Sequence, residues 1–131
     1  MSRKSTTLTE LELEIMKIVW DHDTVTVRDV YETLLKRRKV AYTTVMTMMK
    51  ILEQKKYLKK SQADRAYVYR PAQPQRQVIG AMVREFVNRV FNGSAEPLLV
   101  HLVEDERLTA EDLEEMRRTI RPSSARGKDS Q

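Results

Sequence analysis

The chain has 131 residues and carries 24 lysines and arginines against 19 aspartates and glutamates, a formal net charge of +5. Because it contains no cysteine, disulfide scaffolds, thiolate metal sites, iron–sulfur clusters and cysteine nucleophiles are excluded, and we expect a protein of the reducing cytoplasm. No apolar run approaches the roughly 20 residues of a membrane span and residues 1–5 lack the apolar stretch of a secretory signal, so one or two small, helix-rich soluble domains are expected.

Three helix starts share one capping pattern. Thr9, Thr26 and Thr109 are each followed three positions later by Glu or Asp, and apolar residues bracket each pair, as in a capping box with a hydrophobic staple. Helix 1 is predicted over 10–20 and helix 2 over 27–36. The apolar residues at helical spacing on their core faces are Leu11, Ile15, Ile18, Val19, Val27, Val30, Tyr31 and Leu34.

Helix 3 is predicted over 44–56, after a short basic connection at 37–42. Its core face carries Val45, Met48, Met49 and Leu52. The opposite face is polar apart from one methionine, and its members are Thr43, Met46, Thr47, Lys50 and Gln54.

The period of the pattern changes after helix 3. Residues 57–62 and 66–70 are rich in Tyr and Lys and alternate in polarity on either side of turn residues, which predicts a two-stranded hairpin. Pro71 and Pro74 end this part of the chain. Within 36–70, 11 basic residues stand against two acidic ones. Such a block is either a solvated basic face or the binding surface for a polyanion.

Helices 4, 5 and 6 are predicted over 75–91, from 94–97 onward and over 110–120, followed by a disordered tail at 121–131. Their apolar stripes exceed what three short helices bury by themselves. Since two-fold homodimers are the commonest assembly, we expect a second copy of the chain to cover them. The residues assigned to dimerisation are Ile79, Met82, Val83, Phe86, Val87, Val90, Leu98, Leu102, Leu113 and Met116.

Three helices followed by a hairpin, with a basic third helix and a basic hairpin, form the pattern of a winged helix-turn-helix domain. We therefore predict a mostly α-helical protein with a small β-hairpin, in which a DNA-binding domain over 1–72 precedes a three-helix dimerisation domain over 73–120. Readout of bases is assigned to Thr43, Thr44, Met46, Thr47 and Lys50. Phosphate and wing contacts are assigned to Arg37, Arg38, Lys39, Tyr42, Lys55, Lys59, Lys60 and Arg65.

Neither a catalytic nor a metal-binding constellation stands out in the sequence. His101 is expected to be a partly buried interface residue rather than a metal ligand, because only His22 and scattered carboxylates could join it. Trp20 is expected in the core where helices 1 and 3 meet. There is no Gly-rich phosphate loop. We therefore expect neither enzyme activity nor a cofactor.

Over about residues 7–120 the chain resembles the penicillinase repressor (BlaI/MecI) family of bacterial regulators. The most specific stretch is VAYTTVMTMM at 40–49. The other segments that carry the resemblance are 8–12, 15–16, 19–20, 26–30 and 64–69, with Leu52 and Leu58. The resemblance implies a homodimeric repressor whose winged domain binds a two-fold symmetric operator in double-stranded DNA.

The resemblance also bears on how repression ends. Familiar members of the family are cleaved within the fifth helix, at an Asn-Phe bond, after a membrane sensor protease responds. The pair that corresponds here is His101-Leu102, which implies a sensor-linked protease as a partner and leaves the position of cleavage open. Copper-responsive relatives use C-terminal cysteines, which this chain lacks.

Two alternatives to a plain operator-binding repressor stay open. One is a ligand-gated winged-helix sensor with a small-molecule pocket between the DNA-binding unit and helix 4. The other is a protein-interaction module that uses the winged fold without DNA, which the basic charge of helix 3 and the hairpin disfavours.

Overall fold

The computed structural model describes residues 8–120, and within this range six α-helices and one two-stranded antiparallel sheet follow the predicted order. The elements are α1 (Glu10–His22), α2 (Val27–Leu35), α3 (Tyr42–Gln54), β1 (Leu58–Ala63), β2 (Ala66–Pro71), α4 (Gln75–Phe91), α5 (Glu96–Glu104) and α6 (Ala110–Thr119). The mostly helical class and the winged helix-turn-helix order of elements are therefore confirmed. The tail predicted at 121–131 lies outside the described residues. Over 8–120, no helix is long and apolar enough to cross a membrane.

All three predicted capping boxes are formed. At the start of α1, the hydroxyl of Thr9 accepts a hydrogen bond from the backbone N–H of Glu12 at 3.2 Å, and the Glu12 carboxylate accepts one from the N–H of Thr9 at 2.9 Å. The same reciprocal bonds are present at the starts of α2 and α6. They satisfy N–H groups that have no partner within the helix, and the predicted and observed starts of these helices coincide.

The start of α3 differs from its prediction, because the helix begins at Tyr42 rather than at residue 44. Its N-cap is Ala41, which makes no side-chain hydrogen bond to the helix. The Tyr42 ring instead packs edge-on against Tyr31 of α2, with the two ring centroids 5.3 Å apart. This contact between helices stabilises a first turn that the local sequence does not cap.

The chain divides into two compact units, residues 1–85 and 86–131. In the first unit, α1, α2, α3, the hairpin and the beginning of α4 share one hydrophobic core. Its largest fully buried side chains are Ile15, Met16, Val19, Val25, Val30, Leu34, Val45, Met49 and Leu52. Val78 is buried and Met82 packs against this core, so the division falls within α4, whereas the sequence placed a domain boundary before that helix.

The hairpin is attached to the helices through backbone and side-chain hydrogen bonds. Val25 and Tyr69 exchange two backbone bonds of 3.0 and 2.7 Å, which adds one residue to the edge of the sheet. The indole Nε1 of Trp20 donates to the carbonyl oxygen of Gln73 at 3.0 Å. Trp20 is half-buried beside the core and fixes the segment between β2 and α4, a role that the sequence did not indicate.

In the second unit, the described part comprises the end of α4, α5 and α6. None of the side chains over 86–120 is buried. Large apolar side chains are instead exposed on all three helices, and these are Phe86, Val90, Leu99, Val100, Val103, Met116 and Ile120. A single chain therefore leaves much of this unit's apolar surface in water, which is unfavourable.

Candidate nucleic-acid interface

One face of α3 carries all the residues assigned to base readout. The five side chains, each of them exposed, are Thr43, Thr44, Met46, Thr47 and Lys50. On the opposite side Val45, Met49 and Leu52 are completely buried, and this burial fixes the rotation of α3 about its own axis. A helix that presents hydroxyl, thioether and ammonium groups fits the major groove of B-DNA, which is about 12 Å wide.

The basic residues near this face fall into two groups. The members of the first have no ion-pair partner among the described residues. They are exposed, and they are Arg37, Lys39, Lys50, Lys59 and Arg65. Exposed cations that form no ion pair with a carboxylate create a positive potential that attracts a polyanion.

The second group is paired with acidic side chains from other elements. Arg38 Nη1 lies 2.7 Å from the Glu14 carboxylate of α1. Lys60 Nζ lies 4.0 Å from Glu53 of α3 and 4.6 Å from the ring centroid of Tyr67. Both pairs are partly exposed, with 41% of the Arg38 side chain and 28% of the Lys60 side chain accessible to solvent. Ion pairs that water can reach contribute little to stability, so these two cations can exchange a carboxylate for a phosphate.

Lys55 differs from the other cations, because its partner is buried. Its Nζ lies 2.9 Å from Oε2 of Glu12, whose side chain is 3% exposed. Burial raises the pKa of Glu12, but the hydrogen bond from Thr9 and the Lys55 ammonium more than offset this and hold the pKa below its ordinary value. A buried carboxylate is tolerated when it is paired and hydrogen-bonded. Lys55, which the sequence assigned to phosphate, therefore joins the end of α3 to the first turn of α1.

The hairpin formed by β1 and β2, which is the wing of the winged helix-turn-helix domain, presents two cations directly opposite each other. In the register of β1 and β2, Lys59 pairs with Arg70, and neither has an acidic partner within the described range. Like charges directly across an antiparallel pair are destabilising. One face of the wing therefore carries uncompensated positive charge, and Arg70, which was not assigned from the sequence, belongs to it.

A further cation lies beside α3 although it is outside the basic block at 36–70. The guanidinium carbon of Arg28, in α2, is 5.9 Å from the ring centroid of Tyr42. Its ion-pair partner is Glu32, 3.3 Å away on the same helix. The distribution of charge along the sequence does not indicate Arg28, because it lies near α3 only in the folded chain, where Tyr31 packs against Tyr42 and brings α2 to the start of α3.

The residues assigned to dimerisation differ in exposure. Those between 40% and 50% exposed are Val83, Phe86, Val90 and Met116. The half-buried ones are Ile79, Met82, Val87, Leu98, Leu102 and Leu113. Four exposed apolar side chains of the second unit were not assigned, namely Leu99, Val100, Val103 and Ile120.

The pair assigned to cleavage lies inside α5. The carbonyl oxygen of His101 accepts a hydrogen bond from the N–H of Asp105 at 2.9 Å, and Leu102 is half-buried. The His101 ring is exposed in the single chain and lies 5.9 Å from the Phe91 ring. Among the residues that the structure describes, no three His, Cys, Asp or Glu side chains come together to hold a metal ion.

Known proteins resemble the chain over nearly its whole length. A family model described as penicillinase repressor matches residues 8–122. The penicillinase repressor of Bacillus licheniformis is 26% identical over 127 residues, covering 97% of this chain and 99% of that protein. The transcriptional regulator BlaI of Mycobacterium tuberculosis is 36% identical over 119 residues, covering 89% and 85%. A solution structure of the DNA binding domain of the repressor BlaI superposes with a TM-score of 0.49 at 28% identity, covering 56% of this chain and 90% of that one.

Proposed function

The chain belongs to the penicillinase repressor family, and we propose that it represses transcription as a homodimer bound to a two-fold symmetric operator. Members of this family are transcriptional repressors rather than enzymes. The observation that carries the proposal is the exposed face of α3, held in position by a buried stripe and flanked by unpaired cations. We expect the repressor to act in the cytoplasm, because that is where the DNA of a bacterial cell lies.

In the proposed complex, α3 enters the major groove and its exposed face contacts base edges. The threonine hydroxyls donate or accept hydrogen bonds, the methyl group of Met46 packs on a thymine methyl group, and Lys50 reaches guanine acceptors. Phosphates on either side are bound by the unpaired group of Arg37, Lys39, Lys59 and Arg65. Arg38 and Lys60 join them by exchanging partners, whereas Lys55 serves mainly to hold α3.

Dimerisation is proposed for the second unit. Its support is that no side chain over 86–120 is buried while seven large apolar side chains of that range are at least 40% exposed. A second copy of the same surface covers such a face by two-fold symmetry. Two α3 helices related in this way meet the same side of the duplex when their half-sites are centred about 10–10.5 base pairs apart, or a multiple of that.

Selecting bound duplexes from a random pool tests the proposal, together with sedimentation of the full chain. We expect a dimer, and a selected sequence with inverted half-sites at the spacing given above. Binding to this operator should weaken steeply as salt rises, since released counterions drive phosphate contacts. A chain that sediments as a monomer and binds no duplex in dilute buffer would contradict the proposal.

For release, we propose cleavage by a sensor-linked protease between His101 and Leu102. Because this bond lies within α5, the helix must open locally before a protease can bind it. Cleavage there separates α6 and the exposed apolar side chains of Met116 and Ile120 from the rest of the chain. Mass spectrometry of protein from induced cells should find a fragment that ends at His101, and an intact chain after derepression would refute this route.

A repressor gated by a small molecule is the second candidate. Within the first unit, a cleft of about 450 Å³ is lined by Trp20, Asp23, Arg70 and residues 71–75. Small-molecule sites typically have volumes of roughly 300–1,000 Å³. In a thermal-shift screen of metabolites, a ligand at 100 times its Kd adds about 2.7 kcal/mol to stability. A shift that Trp20→Ala abolishes would support this candidate, and no shift in the screen would reject it.

A further inference from the structure

The start of α3 and the first two turns of α2 bring together three side chains, of which Tyr42 alone was assigned to DNA, as a phosphate contact. Arg28 of α2 lies over the Tyr42 ring of α3 at 5.9 Å, and Tyr31 of α2 supports the same ring edge-on at 5.3 Å. This inference rests on the proposed DNA-binding function. We propose that Arg28 and Tyr42 form a phosphate clamp that binds a DNA backbone phosphate beside the recognition face of α3, which is the exposed face that carries Thr43, Thr44, Met46, Thr47 and Lys50.

The geometry holds the guanidinium in place without burying it. A cation within about 6 Å of an aromatic ring centroid is attracted to the face of the ring, and a perpendicular pair of rings is a favourable aromatic contact. Arg28 nevertheless keeps 67% of its side chain exposed, and Tyr42 is 37% exposed. The group is therefore ordered in advance and open to a ligand from solvent.

The present partner of Arg28 is readily displaced. Glu32 offers one contact of 3.3 Å, and its side chain is 59% exposed. The order along the helix, with the cation N-terminal to the carboxylate, is the weaker one for such a pair. A guanidinium instead donates two parallel hydrogen bonds to a phosphate. Arg28 gains by exchanging Glu32 for phosphate and keeps its contact with the Tyr42 ring.

The clamp lies at the N-terminal end of α3, where a phosphate contact orients the helix in the groove. Tyr42 directly precedes Thr43 and Thr44, with which the recognition face begins. Among the described residues, none forms a side-chain hydrogen bond with its phenol hydroxyl. That hydroxyl is a donor for a second phosphate oxygen. Phosphates carry no sequence information, but contacts to them fix the orientation of a helix in the groove. The clamp therefore sets the angle of α3 and not its choice of bases.

Binding to a random-sequence duplex, measured by fluorescence anisotropy over a series of KCl concentrations, isolates the phosphate contacts. Arg28→Ala should weaken binding about tenfold at low salt, as expected for a lost charge-assisted contact, and reduce the slope of log affinity against log salt by about 0.9. Glu32→Gln should tighten binding several-fold, because it frees the guanidinium. Tyr42→Phe should retain the ring contacts and lose only part of the affinity.

Arg117→Ala is the matched control. Arg117 is also an exposed arginine in an ion pair on one helix, with Glu114 at 3.9 Å and 72% of its side chain exposed. Its loss removes the same charge and should change affinity less than twofold with an unchanged salt slope. If Arg28→Ala and Arg117→Ala behave alike while the parent protein binds duplex, the clamp is refuted and the proposed function stands.

The double variant Arg28→Ala/Glu32→Gln separates the clamp from a general effect of charge. Glu32→Gln should tighten binding less in the Arg28→Ala background than in the parent, because only the parent has a guanidinium to release from Glu32. Equal tightening in the two backgrounds would overturn the clamp. A parent protein that binds no duplex at any salt concentration would instead contradict the proposed function itself.

Discussion

Replacing Lys55 with Met tests whether its contact with Glu12 holds α3 against α1. The variant keeps the aliphatic part of the side chain but leaves a carboxylate that is 3% exposed without its cationic partner. The N–H of Thr9 still donates to it at 2.9 Å. The loss of a charged partner from a buried group costs roughly 1–3 kcal/mol. We expect the lower part of this range, because Lys55 is 43% exposed and water replaces some of the interaction.

This cost depends on pH, because the ionised form of Glu12 carries it. In the folded protein the pKa of Glu12 is lowered from its ordinary value of 4.5. The contribution of the pair to the free energy of unfolding is therefore fully present above the unfolded-state pKa and is lost as the pH falls through the folded-state pKa. The parent and Lys55→Met should differ most at neutral pH and converge in acid.

Urea unfolding followed by the fluorescence of Trp20, the single tryptophan, measures the stability of the first unit. Lys17→Met, which removes an exposed lysine from α1, is the matched control and should change stability by less than about 0.5 kcal/mol. A difference between Lys55→Met and the parent that is equally large at neutral pH and in acid would refute the reasoning.

Three further predictions concern the wing, the recognition face and the second unit. Lys59→Thr should raise the free energy of unfolding by a few tenths of a kcal/mol in urea titrations, since it removes a like charge opposite Arg70. The same change should weaken binding to every duplex, and an unchanged duplex affinity would exclude Lys59 from the interface. Thr47→Ala should reduce the difference in binding free energy between selected operator and random duplex by about 1 kcal/mol in anisotropy titrations, and an unchanged difference would exclude Thr47 from base readout. Val90→Asp should shift sedimentation toward the monomer, whereas Asn88→Asp at an exposed polar position of α4 should not; a dimeric Val90→Asp would count against the assigned surface.

Sequence reasoning succeeded for structure that depends on residues close together in the chain. The capping boxes join residues three positions apart, so a short window contains every group that starts α1, α2 and α6. The start of α3 depends instead on Tyr31 packing against Tyr42, and no local pattern contains both rings. Of the four helix starts, only that of α3 is determined by a tertiary contact, and only that one was predicted at the wrong residue.

The candidate interface was predictable in outline, because its polar face follows from helical spacing opposite a core stripe. The availability of each cation was not predictable from spacing. Arg38 and Lys55 are paired with Glu14 and Glu12 of α1, and only the fold brings these carboxylates near them. Arg28 was missed for the converse reason, since it is distant in sequence from the basic block and adjacent to α3 in space.

Because no side chain over 86–120 is buried in the single chain, the behaviour of the second unit should depend on the concentration of the protein in the cell. We expect this unit to gain its stability from encounter with a second chain, so that folding and assembly obey mass action together. If the protein represses as the proposed dimer, we expect repression to depend on how many copies the cell contains. We then expect the promoter to open without an inducer below a threshold concentration, and the proposed cleavage of a fraction of the chains to relieve repression steeply.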